Sequence, residues 1–388
     1  MNKTKVSVVK CANYSEKELK NRLKELLKPY NGMKAFVKPG QKVLLKVNLL
    51  MDSPPEAVVT TNPVLVKAVA RLVQQAGGKV IIGDSPGGPF RPGLLKRVYQ
   101  KSGLKKIADE IGAELNFNTG QEKVSYSEGI YNKSFVLGKY VTEADVIINL
   151  PKLKTHGLTV MTAAVKNLFG TIPGVLKAEY HVKMPEVEVF SEMLLELAFC
   201  VKPALNIVDA VVGMEGDGPS GGDARNFGYI MASRSPLAVD VASANLLGIK
   251  PQSKVPYIEA ARKRGWVADI SKLEIVGQEL EPLKGVKVPP AINSSNLIDQ
   301  RLPEPIANFL ENILKPRPVF NHDKCVSCGD CYQSCPADTI IMKNNYPEVE
   351  LDDCIRCFCC QEMCKYKAVE IKRPILARLL VKINEVKK

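Results

Sequence analysis

Eleven cysteines punctuate the 388 residues, and eight of them fall into one repeated frame. Cys325-Val-Ser-Cys328-Gly-Asp-Cys331-Tyr-Gln-Ser-Cys335-Pro336 is answered 29 residues later by Cys354-Ile-Arg-Cys357-Phe-Cys359-Cys360-Gln-Glu-Met-Cys364. The apolar positions behind each run also correspond, Ile340 and Met342 with Val369 and Ile371, which marks an internal duplication of one turn-and-strand unit. Thiolates are soft donors suited to iron in a cubane cluster. A C-x2-C-x2-C run wraps three of them around one cluster and leaves the fourth ligand to come from elsewhere. Zinc sites favour paired C-x2-C knuckles, and a disulfide framework belongs to an oxidising compartment. The C-x3-C-x2-C run of radical S-adenosylmethionine clusters is not found.

From Cys325 to Ile371 the chain resembles the two-cluster bacterial ferredoxins. In that family the cysteine preceding proline ligates the other cluster. The resemblance implies one 4Fe-4S cluster on Cys325, Cys328, Cys331 and Cys364, and a second on Cys335, Cys354, Cys357 and Cys360. The second half departs from the pattern at Lys365, where the first half has Pro336. This leaves the ligands intact and bears on solvent access and potential. Cys11, Cys200 and Cys359 remain outside the set, and Cys359, out of register between two ligands, reads as a spare thiol.

The chain is long enough for more than one domain and a substantial core. Its 45% hydrophobic and 24% charged residues are those of an ordinary globular protein. No apolar run reaches the length of a membrane span. The amino terminus passes from a basic start into a strand-like alternation, without the apolar region of a secretion signal. Together with the thiols, this places the protein in the cytoplasm of a cell that keeps cysteines reduced, an anaerobe. Of the net charge of +13, residues 319–372 contribute −3, from six Lys or Arg against nine Asp or Glu, so the remainder carries +16. Such a surface holds an acidic module in place or attracts anionic substrates. Nucleic acid is not expected, since no helix-turn-helix, zinc-finger or aromatic RNA-binding signature is found.

The elements that must position this chemistry alternate. Strands are expected at Val6–Val9, Lys42–Val47, Lys79–Ile82, and near Ala113–Phe117, Ala144–Asn149, Ala204–Val208 and Leu273–Val276. Helices are expected at Glu16–Leu27, near Pro185–Cys200 and Pro236–Leu247, and from a cap at Asn62 with Pro63 in the first turn to Ala76. The fold class is therefore α/β, a mostly parallel sheet covered by helices, followed by a small ferredoxin-like α+β domain. Residues 1–285 form the α/β domain. Residues 286–318 form a linker with a short helix at Pro303–Leu314 and a stiff Lys315-Pro316-Arg317-Pro318 end. Residues 319–372 form the cluster domain, and 373–388 an amphipathic tail helix expected to pack back on the protein.

Several strands end in polar residues: Asn48, Asp84, the run Lys152, Lys154 and His156, and Asp209. In an open α/β sheet, ligands bind beyond the carboxyl ends of the strands. Lys152, Lys154 and Lys166, the last on an expected helix over Thr159–Leu168, are suited to hold an anionic group, with His156 or Asp84 as proton source. The glycine-rich turns at 84–89 and 213–222 match no nucleotide-binding motif; they bring backbone N–H groups to an anion or close as lids. Asp209, Glu215, Asp217 and Asp240 are candidate ligands of a hard divalent ion.

Lys42 to Gly88, Asp145 to Gly174 and Asp209 to Asp240 resemble domain-of-unknown-function family 362, on residues including Lys46, Asn48, Thr60, Thr61, Asp84, Lys152, Lys154, His156, Lys166, Asn167 and Asp209. That resemblance implies an α/β domain in an iron–sulfur protein and no particular reaction. The leading expectation is a redox enzyme. Low-potential electrons from a donor or acceptor protein would pass through two 4Fe-4S clusters to a small anionic substrate in the strand-end crevice. The rivals are a non-enzymatic electron carrier or assembly protein docking a partner, and anion-activating or hydrolytic chemistry with structural or sensory clusters.

Overall fold

The computed structural model describes residues 3–290 and 315–374. The strands in chain order are β1 (Thr4–Lys10), β2 (Lys42–Lys46), β3 (Lys79–Gly83), β4 (Glu114–Leu115), β5 (Gln121–Ser125), β6 (Ser134–Gly138), β7 (Val146–Asn149), β8 (Lys152–His156), β9 (Val160–Thr162), β10 (Leu205–Glu215), β11 (Asp223–Ser233) and β12 (Leu273–Gly277). The carboxy-terminal module adds β13 (Arg317–Phe320), β14 (Ile340–Lys343), β15 (Tyr346–Val349) and β16 (Val369–Lys372). The main sheet runs β12-β1-β11-β10-β7-β2-β3-β4, with β8 and β9 appended beside β10. Along that path only β11 runs against its neighbours, so the sheet is mostly parallel as expected.

Alternation along β2 explains why both faces of the sheet are covered. Leu44 enters one apolar core, with Phe190, Leu194 and Val239, while Val43 and Leu45 enter the other, with Leu23, Val66 and Val69. A strand buried on both faces must be apolar throughout, as Val43-Leu44-Leu45 is. The helices begin where their caps predict. Ser15 accepts from the Glu18 N–H at the start of Glu16–Leu27, and Asn62 accepts from the Val64 N–H at the start of Pro63–Gln75.

Four expectations need correction. The segment Thr159–Leu168 is not one helix: Val160–Thr162 is a strand paired antiparallel to β8, and the helix spans only Ala164–Asn167. Its β-branched residues favour the pleated surface, and the turn before it is held by His156 Nδ1, which accepts from the N–H groups of Leu158 and Thr159. Asp209 lies inside β10, which continues to Glu215 because β11 supplies a long antiparallel partner. The stiff linker is shorter than expected, since Arg317 and Pro318 belong to β13 and pair with β16. The four acidic residues do not converge. Asp209 pairs with Lys152, Glu215 with Arg225, and Asp240 accepts from the N–H groups of Ala164 and Val165. The expected helices at Pro303–Leu314 and beyond residue 374 lie outside the described residues.

Candidate functional site between the sheet and the cysteine module

The carboxyl ends of β2, β3 and β8 open onto a cavity of about 540 Å³, whose far wall is the cysteine module. Glycines line part of this contact. A Cβ on Gly87 would overlap Met363 Sδ, and one on Gly157 would overlap the tip of Ile371, so side chains of the module pack directly on these two glycines. The second glycine stretch receives the short helix Cys359–Glu362: Gln361 Nε2 donates to the Asp217 carbonyl at 2.7 Å, and Ser220 Oγ donates to the Gln361 carbonyl at 3.2 Å. Lys365, which replaces the proline of the first repeat, reaches Asp52 at 2.5 Å, and Lys367 donates to the Gly222 carbonyl. These turns are sockets for the module.

Of the residues expected in the site, Asp84, Lys154, His156 and Lys166 line the cavity. Lys152 does not. Its ammonium is buried against Asp209 at 2.9 Å and the Tyr14 hydroxyl at 2.8 Å, so it is a structural cation rather than the expected substrate contact. Asp84 is paired with fully buried Lys46 at 2.7 Å and also accepts from the N–H groups of Leu49 and Ser85. Burial pushes both partners toward their neutral forms, and their mutual attraction opposes it. With both oxygens already accepting, Asp84 offers no free proton to the cavity.

His156 is buried, and burial lowers its pKa, with Glu362 only partly opposing this. Because Nδ1 accepts two backbone N–H groups, the neutral ring carries its proton on Nε2, facing Glu362 Oε1 at 3.0 Å. Lys154 is 1% exposed and donates to the Val59 carbonyl at 2.9 Å; burial pulls its pKa down to about 7. Lys166 rests over the rings of Phe169 and Phe190, 5.0 and 5.7 Å from their centroids. The ring of Phe190 stacks in turn on His181, whose pKa burial lowers to about 3, so that imidazole is neutral.

Lys177 and His181 were missed as cavity residues. Lys177 follows the Gly170-Thr-Ile-Pro173-Gly174 turn, and no pattern distinguishes it from a surface lysine of the helix Leu176–Lys183. Its ammonium donates to both the carbonyl and the hydroxyl of Ser85 and to the Ile172 carbonyl.

In the module, the eight repeat cysteines separate into two groups. Cys335, Cys354, Cys357 and Cys360 border one small void, and Cys325, Cys328, Cys331 and Cys364 border another. Each void is surrounded by four thiols with apolar neighbours, the donor set that 4Fe-4S ligation requires. Cys335 borders both its own void and the large cavity, and Cys359 lines only the cavity.

A family model for a domain of unknown function, DUF362, matches residues 43–245, and one for a 4Fe-4S dicluster domain matches residues 317–365. The thylakoid-associated protein sll1697 of Synechocystis sp. is 38% identical over 261 residues, covering 67% of this chain and 79% of that protein. The chain therefore belongs to the DUF362 family and carries a 4Fe-4S ferredoxin-like module. Pyruvate synthase subunit PorD of Methanothermobacter marburgensis is 33% identical over 57 residues, 15% of this chain and 67% of its own. The solved structure of the lactate racemase apoprotein from Thermoanaerobacterium thermosaccharolyticum aligns with a TM-score of 0.38 at 14% identity, over 60% of this chain and 54% of that one. Among the described residues no helix is long and apolar enough to cross a membrane.

Proposed function

We propose that the protein is a ferredoxin-fused oxidoreductase that reduces a small anionic compound in the cavity between its two lobes. The observation that carries this reading is the position of Cys335, which belongs at once to a four-cysteine set and to the cavity wall. Two 4Fe-4S clusters, on the sets Cys325/Cys328/Cys331/Cys364 and Cys335/Cys354/Cys357/Cys360, would supply low-potential electrons one at a time.

The residues of the chain divide the remaining tasks. Cys328 is exposed, with Val326, Tyr332 and Tyr366 each roughly half exposed near it, which suits docking of a low-potential electron-transfer protein at that end. Lys166 holds the anion, and Lys177, whose three N–H groups are donated to Ser85 and Ile172, adds only its charge to the wall. Reduction of a polar double bond takes up two electrons and two protons, and Lys154, with a pKa near 7, is matched to hold and pass a proton at neutral pH. The proton role thus moves from His156 and Asp84, whose polar atoms are engaged, to Lys154. Oxygen-sensitive ligation belongs in a reducing compartment, so we place the protein in the cytoplasm of an anaerobic cell. A simple carrier would have no use for a walled cavity rich in buried cations.

The test is to release small molecules from anaerobically purified protein, identify them by mass spectrometry, and add each to dithionite-reduced protein. Rapid reoxidation by one of them, lost in Lys166→Met at unchanged iron content, is expected. Reoxidation indifferent to Lys166 would remove the cavity from the reaction.

A further inference from the structure

Resting on that reading of the cavity, we propose that its ligand is a dicarboxylate, whose two carboxylates are held by the ammonium groups of Lys154 and Lys166 across an apolar floor, with the charge of Lys177 behind them. The first argument is charge balance. Asp84 is neutralised by Lys46 and Asp52 by Arg97 at 2.9 Å and Lys365 at 2.5 Å, while Glu362, beside the neutral His156, is the one carboxylate of the wall left to act on Lys154 and Lys166 from a distance. Among the described residues, no carboxylate forms an ion pair with Lys154, Lys166 or Lys177. Lys166 is only 9% exposed, yet it has neither a hydrogen bond nor an ion pair there, only its two aromatic rings. Lys154 has a single carbonyl. Burying an ammonium without a counter-charge is unfavourable, and its presence beside a cavity is explained when an anion completes the site. Three lysines against the single charge of Glu362 leave room for an anion of two charges.

The second argument concerns the kind of anion. Phosphate sites commonly use successive backbone N–H groups at a glycine turn. Here those groups are engaged: Ser85 N–H donates to the Gly170 carbonyl and to Asp84, Gly87 N–H to the Leu50 carbonyl, and Gly174 N–H to Ser85 Oγ. The three lysines instead stand on three separate elements, β8, Ala164–Asn167 and Leu176–Lys183, which suits charges separated along a carbon skeleton. Leu49, Leu94, Phe169, Val175 and Met363 supply the apolar surface for that skeleton, and the volume lies in the range of small-molecule sites.

Isothermal titration of the anaerobically purified holoprotein at pH 7 tests this, with succinate, phthalate, acetate and inorganic phosphate as probes in two buffers of different ionisation enthalpy. Succinate or phthalate should bind at least roughly tenfold tighter than acetate or phosphate, with net proton uptake, because a nearby anion favours the charged lysine. Lys154→Met and Lys166→Met should each weaken that binding by about tenfold or more, and Lys166→Arg should restore part of it. Melting temperature and iron content report whether the variants fold, and Lys166→Arg keeps the charge should Lys166→Met fail to fold. Acetate or phosphate binding as tightly as the dicarboxylates would overturn the dicarboxylate assignment and leave the anion site standing. If none of the four binds, the dicarboxylate assignment falls. If reoxidation by the released compound is also indifferent to Lys166, the oxidoreductase reading falls with it.

Discussion

Nε2 of His156, on β8 of the large lobe, lies 3.0 Å from Oε1 of Glu362 on the helix Cys359–Glu362 of the cysteine module. Neither atom has a well-aligned hydrogen bond, to the other or elsewhere, so what links them across the boundary of the two lobes is proximity and charge. The contact holds the module's cysteines against the cavity. Glu362→Ala should leave the eight repeat cysteines able to bind iron while weakening docking by about 1–3 kcal/mol, the range for orphaning a buried polar group. Amide exchange in Lys152–His156 and in the glycine turn at 213–222 should rise. Unchanged protection in both segments would show that the pair does not hold the lobes together.

The Lys46–Asp84 pair is fully enclosed at the ends of β2 and β3. Removing one partner strands the other charge, so Asp84→Asn should destabilise the large lobe by about 3–5 kcal/mol in denaturant unfolding. The double change Lys46→Met with Asp84→Leu should lose less than Asp84→Asn alone. A larger loss in the double variant would mean that the pair contributes more than mutual neutralisation.

Lys154 makes stability depend on pH in a defined direction. Its folded pKa, about 7, lies below the value of about 10.4 for a free lysine, so the unfolded chain binds the proton first as pH falls. Stability should therefore decline as pH drops from about 10 toward 7, by up to roughly 1.4 kcal/mol per pH unit from this group, and level off below 7. Lys154→Met should flatten the profile. An unaltered slope in that variant would mean that Lys154 keeps an ordinary pKa in the fold.

The two cysteine sets predict separable losses. Cys328→Ser and Cys335→Ser should each leave roughly four of about eight irons after anaerobic reconstitution, and Cys359→Ser should leave all of them. Cys335→Ser should also remove the spectroscopic response to cavity ligands, which Cys328→Ser should retain.

Much of this was legible in the chain. The double cysteine register needs only spacing, and the helix Glu16–Leu27 and the start of the helix at Pro63 follow from Ser15, Asn62 and Pro63, whose preferences are local. What the chain hid depends on partners far apart in sequence. Lys152 and Lys154 are indistinguishable as letters. Standing two apart on β8 they share a face, and what separates them is the irregular register to β10, which sets Lys152 beside Asp209 and Lys154 beside Met214. The glycine turn at 84–89 invites a phosphate or lid reading, whereas the surroundings of Gly87 are set by Met363, which arrives from the far end of the chain. The helix expected over Thr159–Leu168 failed because β8 offered Val160–Thr162 an edge to pair with, a tertiary effect that overrides local pattern.

The central claim is that a bound anion and one cluster share the wall at Cys335. The most direct measurement is a potentiometric titration followed by electron paramagnetic resonance, with and without saturating phthalate. A negative ligand beside one cluster disfavours adding an electron to it. One of two midpoint potentials should therefore fall, by roughly 60 mV for each tenfold by which phthalate prefers the oxidised protein, while the other stays in place. Two potentials that remain unchanged when phthalate is shown to be bound would contradict the account.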